Sequence, residues 1–135
     1  MYFTEHLLLR LRRTKMTFKR TPEFNKDLKT LQKKWRTLEK DLNIAQSAIT
    51  ALYNDAEFYK MFFQSKKAAV ISSGTLHEVV KMRLDCSSPG AKGLARIVFV
   101  FAKQDDQITL IEIYSKSEKG RENQVRIDNF LATSI

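Results

Sequence analysis

The lysines and arginines in the second half of the sequence are the residues best suited to chemistry. Lys81 and Arg83 alternate with apolar residues, which would put both side chains on one face of a strand. Arg96 opens the next apolar stretch, and further cations end or follow the stretch after it: Lys116, Lys119 and Arg121. If the strands are neighbours, these cations converge on one concave face. Such a cluster could bind phosphates, and an arginine in it could stabilise charge that develops on phosphorus.

Other catalytic and cofactor-binding patterns are missing from the sequence. It contains no GxxxxGK[ST] or GxGxxG phosphate-binding loop, no HExxH and no GxSxG. His6 and His77 are the only histidines, and neither lies at a metal-ligand spacing from another strong ligand. Cys86 is the only cysteine, which excludes a zinc site made of several thiolates. We therefore expect no metal and no cofactor, and we expect His77 to lie at the surface or edge, at the head of a strand.

Length and charge narrow the class of protein. A chain of 135 residues is about one domain, at roughly 150 residues per domain. The 24 lysines and arginines exceed the 15 acidic residues, and the net charge of +9 favours a polyanion or an acidic protein as partner. No apolar run approaches the ~20 residues that a membrane helix needs. The single cysteine fits a reducing compartment, so we expect a cytoplasmic protein with no membrane partner.

Two amphipathic helices are expected before the basic strands. After a short strand or lead-in at residues 17 to 21, Thr21 can cap a helix that begins at Pro22. Apolar residues then recur at helical spacing in two stripes, and the second stripe starts just after Thr37. The stripes are Phe24, Leu28, Leu31 and Trp35, then Leu38, Leu42, Ala45, Ile49 and Leu52. The tight join between them predicts a helical hairpin.

The remaining residues predict a sheet and a closing helix. An aromatic cluster between residues 53 and 63 predicts a short helix over the core, and Ser72-Ser73-Gly74 predicts a break. Three strands should follow, ending near residues 84, 103 and 116. Four apolar residues should face inward from the last helix: Val125, Ile127, Phe130 and Leu131. The predicted fold is α+β, with an N-terminal helical hairpin packed on a small antiparallel sheet and with a C-terminal helix.

The predicted domain covers residues 16 to 135. Residues 1 to 15 should form an N-terminal extension, which is either disordered or a basic amphipathic helix. Met16 is an alternative start, because the patterned sequence begins directly after it.

The second half of the chain resembles a known family. The stretch KMRLDCSSPGAKGLARIVFVF, followed by TLIEIYSKSEKGREN, is similar to the longer members of the RelE/ParE toxin superfamily of bacterial toxin–antitoxin modules. The shared features are a basic-apolar-basic strand, a Ser-Ser-x-Gly-x-x-Gly loop, a strand opened by arginine and an Ile-Tyr-x-Lys-Ser-Glu-Lys ending. The paired helices are similar as well, so the resemblance covers roughly residues 17 to 130. It implies a small antiparallel sheet flanked by helices, in a toxin whose ribosome-dependent relatives cleave messenger RNA.

The resemblance implies a metal-independent endoribonuclease site. Lys81 and Arg83 match the family's two basic residues before the loop, and Arg96 matches the arginine that opens the next strand. The basic residue after the following strand corresponds to Lys116 or Lys119. The 2′-hydroxyl of the RNA would attack the adjacent phosphate and leave a cyclic phosphate. Arg96 would neutralise the transition state, Lys81 or Arg83 would orient the phosphate, and Lys116 or Lys119 would assist the leaving oxygen.

Some positions depart from the family pattern. Ser117 stands where the best cleavers have an arginine, and no tyrosine or histidine follows Tyr114. The identity of the general base stays open, and the two candidates are Glu118 and a Lys81 of depressed pKa. Lys92 and Arg121 are further candidates for RNA binding.

Three functions are compatible with these patterns. The first is a type II toxin that acts as a RelE-like endoribonuclease, an mRNA interferase, on messenger RNA at the ribosome. The second is a ParE-like toxin that inhibits DNA gyrase by protein binding, and the third is a non-catalytic module that binds an antitoxin. In each reading we expect a cognate acidic antitoxin as partner. Codon preference, antitoxin identity and oligomeric state have no signal in the sequence.

Overall fold

A computed structural model describes residues 15 to 133 as one five-stranded sheet with helices on both faces. The strands are β1 (Thr17–Arg20), β2 (Ala68–Ser73), β3 (His77–Arg83), β4 (Ala95–Ala102) and β5 (Gln107–Ser115). The helices within this range are α1 (Pro22–Gln32), α2 (Leu38–Asn54), α3 (Ala56–Gln64) and α4 (Gln124–Thr133). The extension predicted at residues 1 to 15 lies outside the described residues, apart from Lys15. None of the helices in the described range is long and apolar enough to cross a membrane.

The sheet is mixed, with the order β1-β5-β4-β3-β2. β1 pairs parallel with β5, while the other neighbouring strands are antiparallel. The prediction of an antiparallel sheet is therefore wrong at the β1 edge. Alternation of apolar and polar residues shows which side chains share a face of a strand, but it does not show which strand pairs with it or in which direction. β2 was not predicted, since its end coincides with the turn-forming Ser72-Ser73-Gly74.

The α+β class and the C-terminal helix are confirmed, but the N-terminal helical hairpin is not. The chain opens with a strand, and α1 packs mainly on β5 instead of on α2. The predicted start of α1 is confirmed: the Thr21 hydroxyl accepts a hydrogen bond from the Phe24 N–H at 3.1 Å, and Pro22 is the first helical residue. The short helix over the core is also confirmed as α3.

A polar network fastens the loop after β3 to the start of α2. Thr37 donates to the buried carboxylate of Asp41 at 2.7 Å, and its hydroxyl lies 2.7 Å from that of Ser88. The Ser87 hydroxyl also donates to Asp41 at 3.3 Å. The two serines of the family-like loop therefore have a structural role here, because they hold the loop that leads into Arg96.

The two faces of the sheet carry separate cores. On β3 and β4, alternate residues such as Met82 and Phe99 face the layer of α1, α2 and α3. Residues of the opposite parity face α4, where they pack around Ile127: Val79, Val98, Val100 and Ile111. A bulge opposite Val98 brings Ile111 onto this second face. Val125 was predicted to face inward from α4, but it is exposed, because Ile127 takes the buried position.

The outer edge of β5 is closed by an ion pair. β1 ends opposite Leu110, so the last residues of β5 have no strand beside them on that edge. The Asp27 carboxylate of α1 accepts a hydrogen bond from the Ile113 N–H at 3.4 Å, and the Arg126 guanidinium of α4 donates to the Ile111 carbonyl at 3.0 Å. Nη1 of Arg126 lies 2.6 Å from Oδ2 of Asp27. The pair satisfies exposed backbone groups and ties α4 to α1.

Candidate phosphate-binding cleft

A cationic cleft of about 190 Å³ opens beyond the end of the sheet face that α4 covers. It lies where β3 ends and β4 begins. Its lining includes Lys66, Lys67, Ala68, Ala69, Lys81, Met82, Arg83, Arg96, Tyr114, Lys116 and Gly120. Six of these described lining residues are cations and none is acidic, so the cleft is suited to an anion.

One row of side chains crosses three strands at the base of the cleft. Arg83 is the cross-strand partner of Arg96, and Arg96 is the partner of Tyr114. Directly opposed residues on one face have Cβ atoms roughly 4.5–5.5 Å apart, which places two guanidiniums and a phenol side by side. Of the cations expected from sequence to converge, the structure brings four together as lining residues of one cleft: Lys81, Arg83, Arg96 and Lys116.

Arg96 is more enclosed than the sequence suggested. Only 8% of the residue is exposed, and its Nη1 donates to the carbonyl oxygens of Gly93 at 2.8 Å and Ala95 at 3.1 Å. Gly93 has a φ of +75°, a conformation that glycine adopts readily. Burial lowers the pKa of Arg96, and the neighbouring Arg83 guanidinium lowers it further. The side chain is held rigidly, and an anion beside it would relieve the repulsion between the two guanidiniums.

Lys81 is paired inside the chain. Its Nζ lies 2.8 Å from Oε1 of Glu122, and only 8% of the Glu122 side chain is exposed. Burial is the largest single influence on Glu122 and opposes its ionisation. The hydrogen bond from Lys81, a backbone hydrogen bond and the charges of Lys81 and Arg121 together outweigh it, so the pKa of Glu122 is lowered. Glu122 therefore carries its charge at neutral pH and neutralises Lys81 at the edge of the cleft. This ion pair has no local signal in the sequence, because Lys81 and Glu122 are far apart in the chain.

Tyr114 is a site residue that the sequence analysis did not assign. It is 6% exposed, and burial raises the pKa of its phenol, as do the carboxylates of Glu122 and Glu112. Arg96 acts in the opposite direction. A neutral phenol in a cationic cleft can donate a hydrogen bond to a phosphate oxygen. Tyr114 lies on β5 directly opposite Arg96, so knowledge of the strand pairing would have identified it as a site residue.

The loop between β5 and α4 is anchored by a buried acid. Glu112 is 1% exposed, accepts a hydrogen bond from the Asn123 N–H at 2.8 Å and forms an ion pair with Lys119. The Lys119 ammonium also lies 5.2 Å from the centre of the Tyr114 ring, a cation–π distance. Lys119 is therefore engaged in holding the loop, and it does not line the cleft.

Several other predicted residues lie away from the cleft. Lys92 and Arg121 are exposed and do not line it. Glu118, a candidate general base, forms an ion pair with Lys34 outside the cleft. His77 was expected at the surface or edge; it begins β3, an inner strand of the sheet, and is partly buried.

Lys66 and Lys67 line the cleft although the sequence analysis did not name them. They immediately precede β2, and they were missed because that strand was missed. Within residues 15 to 133, no group of three or more histidine, cysteine, aspartate or glutamate side chains is placed to hold a metal ion.

The fold has counterparts among solved structures. The sequence matches no protein-family model and no curated protein. The structure is similar to a chain of the archaeal RelE–RelB complex from Pyrococcus horikoshii OT3, with 12% identity over 82% of this chain and 100% of that one and a TM-score of 0.53. It is also similar to a metal-bound toxin from Helicobacter pylori, with 21% identity over 78% of this chain and 99% of that one and a TM-score of 0.53. The chain therefore has a RelE-like toxin fold.

Proposed function

We propose that this protein is the toxin of a type II toxin–antitoxin module and that it cleaves messenger RNA as a RelE-like endoribonuclease without a metal ion. The observation that carries the proposal is the row Arg83–Arg96–Tyr114 at the base of a cleft whose described lining residues are cationic and not acidic. The two similar structures, a RelE–RelB complex and a toxin, support the toxin role.

In the proposed reaction the RNA supplies the nucleophile. The 2′-hydroxyl loses its proton to water and attacks the adjacent phosphorus, the bond from phosphorus to the 5′ oxygen breaks, and a 2′,3′-cyclic phosphate remains. Because the nucleophile is already tethered beside the phosphate, correct positioning supplies much of the rate. The cleft residues then stabilise the extra negative charge of the transition state.

Four of the cleft residues have a role in this reaction. Arg96 and Arg83 bind the phosphate oxygens, since both hydrogen bonds of Arg96 to the described residues come from Nη1 and the rest of its guanidinium faces no such partner. Tyr114 donates a hydrogen bond to the phosphate. Lys116 donates a proton to the departing 5′ oxygen, so the charges and protons of the step balance.

A translation extract tests this function. Purified protein is added to the extract with a defined messenger RNA, and the ends of the RNA fragments are mapped. We expect cleavage within the translated region, with a cyclic phosphate at each new 3′ end. Intact messenger RNA would count against the endoribonuclease.

A second candidate is a ParE-like toxin that binds DNA gyrase. It is favoured by the ion pairs that engage Lys81 with Glu122 and Lys119 with Glu112, because neutralised cations are less available for catalysis. Inhibition of supercoiling by purified gyrase, with messenger RNA left intact, would favour this candidate over the endoribonuclease.

An acidic antitoxin is the partner proposed for either toxin. The net charge of +9 supports an acidic partner, and one of the similar structures is a RelE–RelB complex, in which a RelE chain has a protein partner. The complex should weaken as salt rises, since exposed charges are screened beyond about 8 Å at physiological ionic strength. Binding that is indifferent to salt would contradict this.

A further inference from the structure

Lys66 has a backbone conformation that a lysine does not favour. It follows Ser65, the C-cap residue of α3, and its φ is +66°. Helices commonly end with a residue in this left-handed conformation, and glycine is the usual residue because a Cβ atom raises its energy. The lysine at this position therefore reduces the stability of the chain relative to glycine.

The same residue lies at the cleft. Lys66 and Lys67 are both exposed and both line it. The Arg83 N–H donates to the Lys67 carbonyl at 2.9 Å, so the backbone of Lys67 continues the row that contains Arg83 and Arg96. Neither lysine forms an ion pair with another described residue. Two free cations thus extend the phosphate-binding row by one strand.

We propose that Lys66 and Lys67 form a second phosphate subsite, which binds the phosphate next to the one that Arg96 binds in a single-stranded RNA. This inference rests on the proposed endoribonuclease function. Adjacent strands lie roughly 4.7–4.9 Å apart, so the backbone at Lys67 is about 9–10 Å from that at Arg96. A flexible lysine can cover the remaining distance to a neighbouring phosphate. The left-handed lysine is then maintained because it contributes to binding, at the expense of folding stability.

The proposal predicts opposite effects on folding and binding when Lys66 is replaced by glycine. In Lys66→Gly the melting temperature should rise or stay unchanged, because glycine relieves the unfavourable conformation. Its affinity for a short 2′-O-methyl RNA, which cannot be cleaved, should fall about threefold to tenfold. The slope of log affinity against log salt should decrease by about 0.7, the value for one phosphate contact on a single strand.

Lys33 supplies a matched control. It is also an exposed lysine at the end of a helix, but its φ is −62° and it does not line the cleft. Lys33→Gly removes the same charge, so it should bind the RNA like the wild type, and its melting temperature should not rise. Lys66→Asn, which tolerates the left-handed conformation and lacks the charge, should lose affinity as Lys66→Gly does.

The outcomes separate the subsite from the function on which it rests. If wild-type protein cleaves messenger RNA and Lys66→Gly binds the uncleavable RNA with unchanged affinity and salt slope, the subsite is wrong while the endoribonuclease stands. If Lys66→Gly loses affinity for an acidic poly-glutamate peptide and not for RNA, the two lysines serve a protein partner and the proposal is overturned. Loss of RNA affinity in Lys66→Gly and Lys66→Asn, with Lys33→Gly unchanged, supports the subsite.

Discussion

The two ends of one sheet face differ sharply in chemistry. Toward α4 the face carries Val79 and Val100, which pack with Ile127 into a small apolar core. A few residues farther along the same strands it carries Lys81 and Arg96, which line the open cleft. Strand alternation puts both sets on one face, so alternation cannot distinguish them. The covering helix decides which end is core and which end can bind a ligand.

Glu112 lies at the boundary between these two ends. It is directly opposite Val98, which belongs to the apolar core, and it binds both Lys119 and the backbone N–H of Asn123 before α4. The buried carboxylate therefore fixes the point at which the helix starts. A strong polar anchor beside a functional surface lets the fold keep cations exposed without losing the helix that covers the rest of the face.

The largest expected effect comes from the arginines of the open end. Arg96→Ala should slow RNA cleavage by ~10²–10³ in single-turnover assays, because a preorganised charge-stabilising donor is lost. It should also lower the free energy of unfolding by about 1–3 kcal/mol, since its hydrogen bonds to Gly93 and Ala95 disappear.

Arg83→Ala separates catalysis from stability. Arg83 is exposed, so this substitution should also slow cleavage while changing the free energy of unfolding by less than about 0.5 kcal/mol. Lys103→Ala, just after the far end of β4, is the control for cleavage and should leave the rate unchanged. Full activity of folded Arg83→Ala and Arg96→Ala would show that the open end is not the site.

The covered end should show the reverse pattern. Ile127→Ala should lower the free energy of unfolding by about 2–5 kcal/mol, as expected when a fully buried side chain is truncated. Cleavage by the fraction that remains folded should be close to the wild-type rate, measured after urea titration fixes that fraction. Val125→Ala on the same helix should change stability by less than about 0.5 kcal/mol, because Val125 is exposed. A catalytic loss in folded Ile127→Ala would show that the two ends are coupled.

A smaller effect is expected when Lys81 is released from its partner. Glu122→Gln should raise affinity for the uncleavable RNA about twofold to fivefold, because it frees one cation at the cleft. Glu118→Gln changes the net charge equally, but its partner Lys34 is outside the cleft, so its affinity should stay closer to that of the wild type. Equal affinities of the two variants, measured by fluorescence anisotropy, would mean that only net charge matters.

The smallest effect is a pH dependence of stability. The pKa of Glu122 is lower in the folded chain than its ordinary value. Its carboxylate therefore stabilises the fold above the unfolded-state pKa of about 4.3, and the contribution disappears as pH falls through the folded-state pKa. Urea unfolding of the wild type and Glu122→Gln should show a difference at pH 7 that shrinks below about pH 4.3. A stability difference between the two proteins that does not change with pH would mean that it comes from packing and not from the charge of Glu122.

Local sequence signals predicted much of the fold. The Thr21-Pro22 start, the apolar stripes of α1 and α2 and the alternation in β3 all depend on neighbouring residues, and the structure confirms each of them. Strand pairing depends on distant residues, so the parallel β1–β5 pair was not predictable from periodicity. The exposed strand β2 has too weak an apolar pattern to be distinguished from a loop.

The candidate site was predictable only in part, for the same reason. Lys81 and Arg83 were identifiable because their strand alternates, and Arg96 because it opens an apolar strand after a distinctive loop. The ion pair of Lys81 with Glu122 joins residues 41 positions apart, which no local pattern reveals. Tyr114 and Lys66 become candidates only when the register of β5 and the end of α3 are known.

In the proposed function, the open end of the sheet face promotes RNA cleavage, and the nucleophile is the 2′-hydroxyl of the RNA itself. The most direct measurement compares wild type with Arg96→Lys in a translation extract and identifies the chemical group at each new 3′ end. Lysine keeps the charge but cannot make the two parallel hydrogen bonds of a guanidinium. We predict 2′,3′-cyclic phosphate ends with the wild type and strongly reduced cleavage with folded Arg96→Lys. Equal cleavage by the two proteins, or new ends without a cyclic phosphate, would contradict the claim.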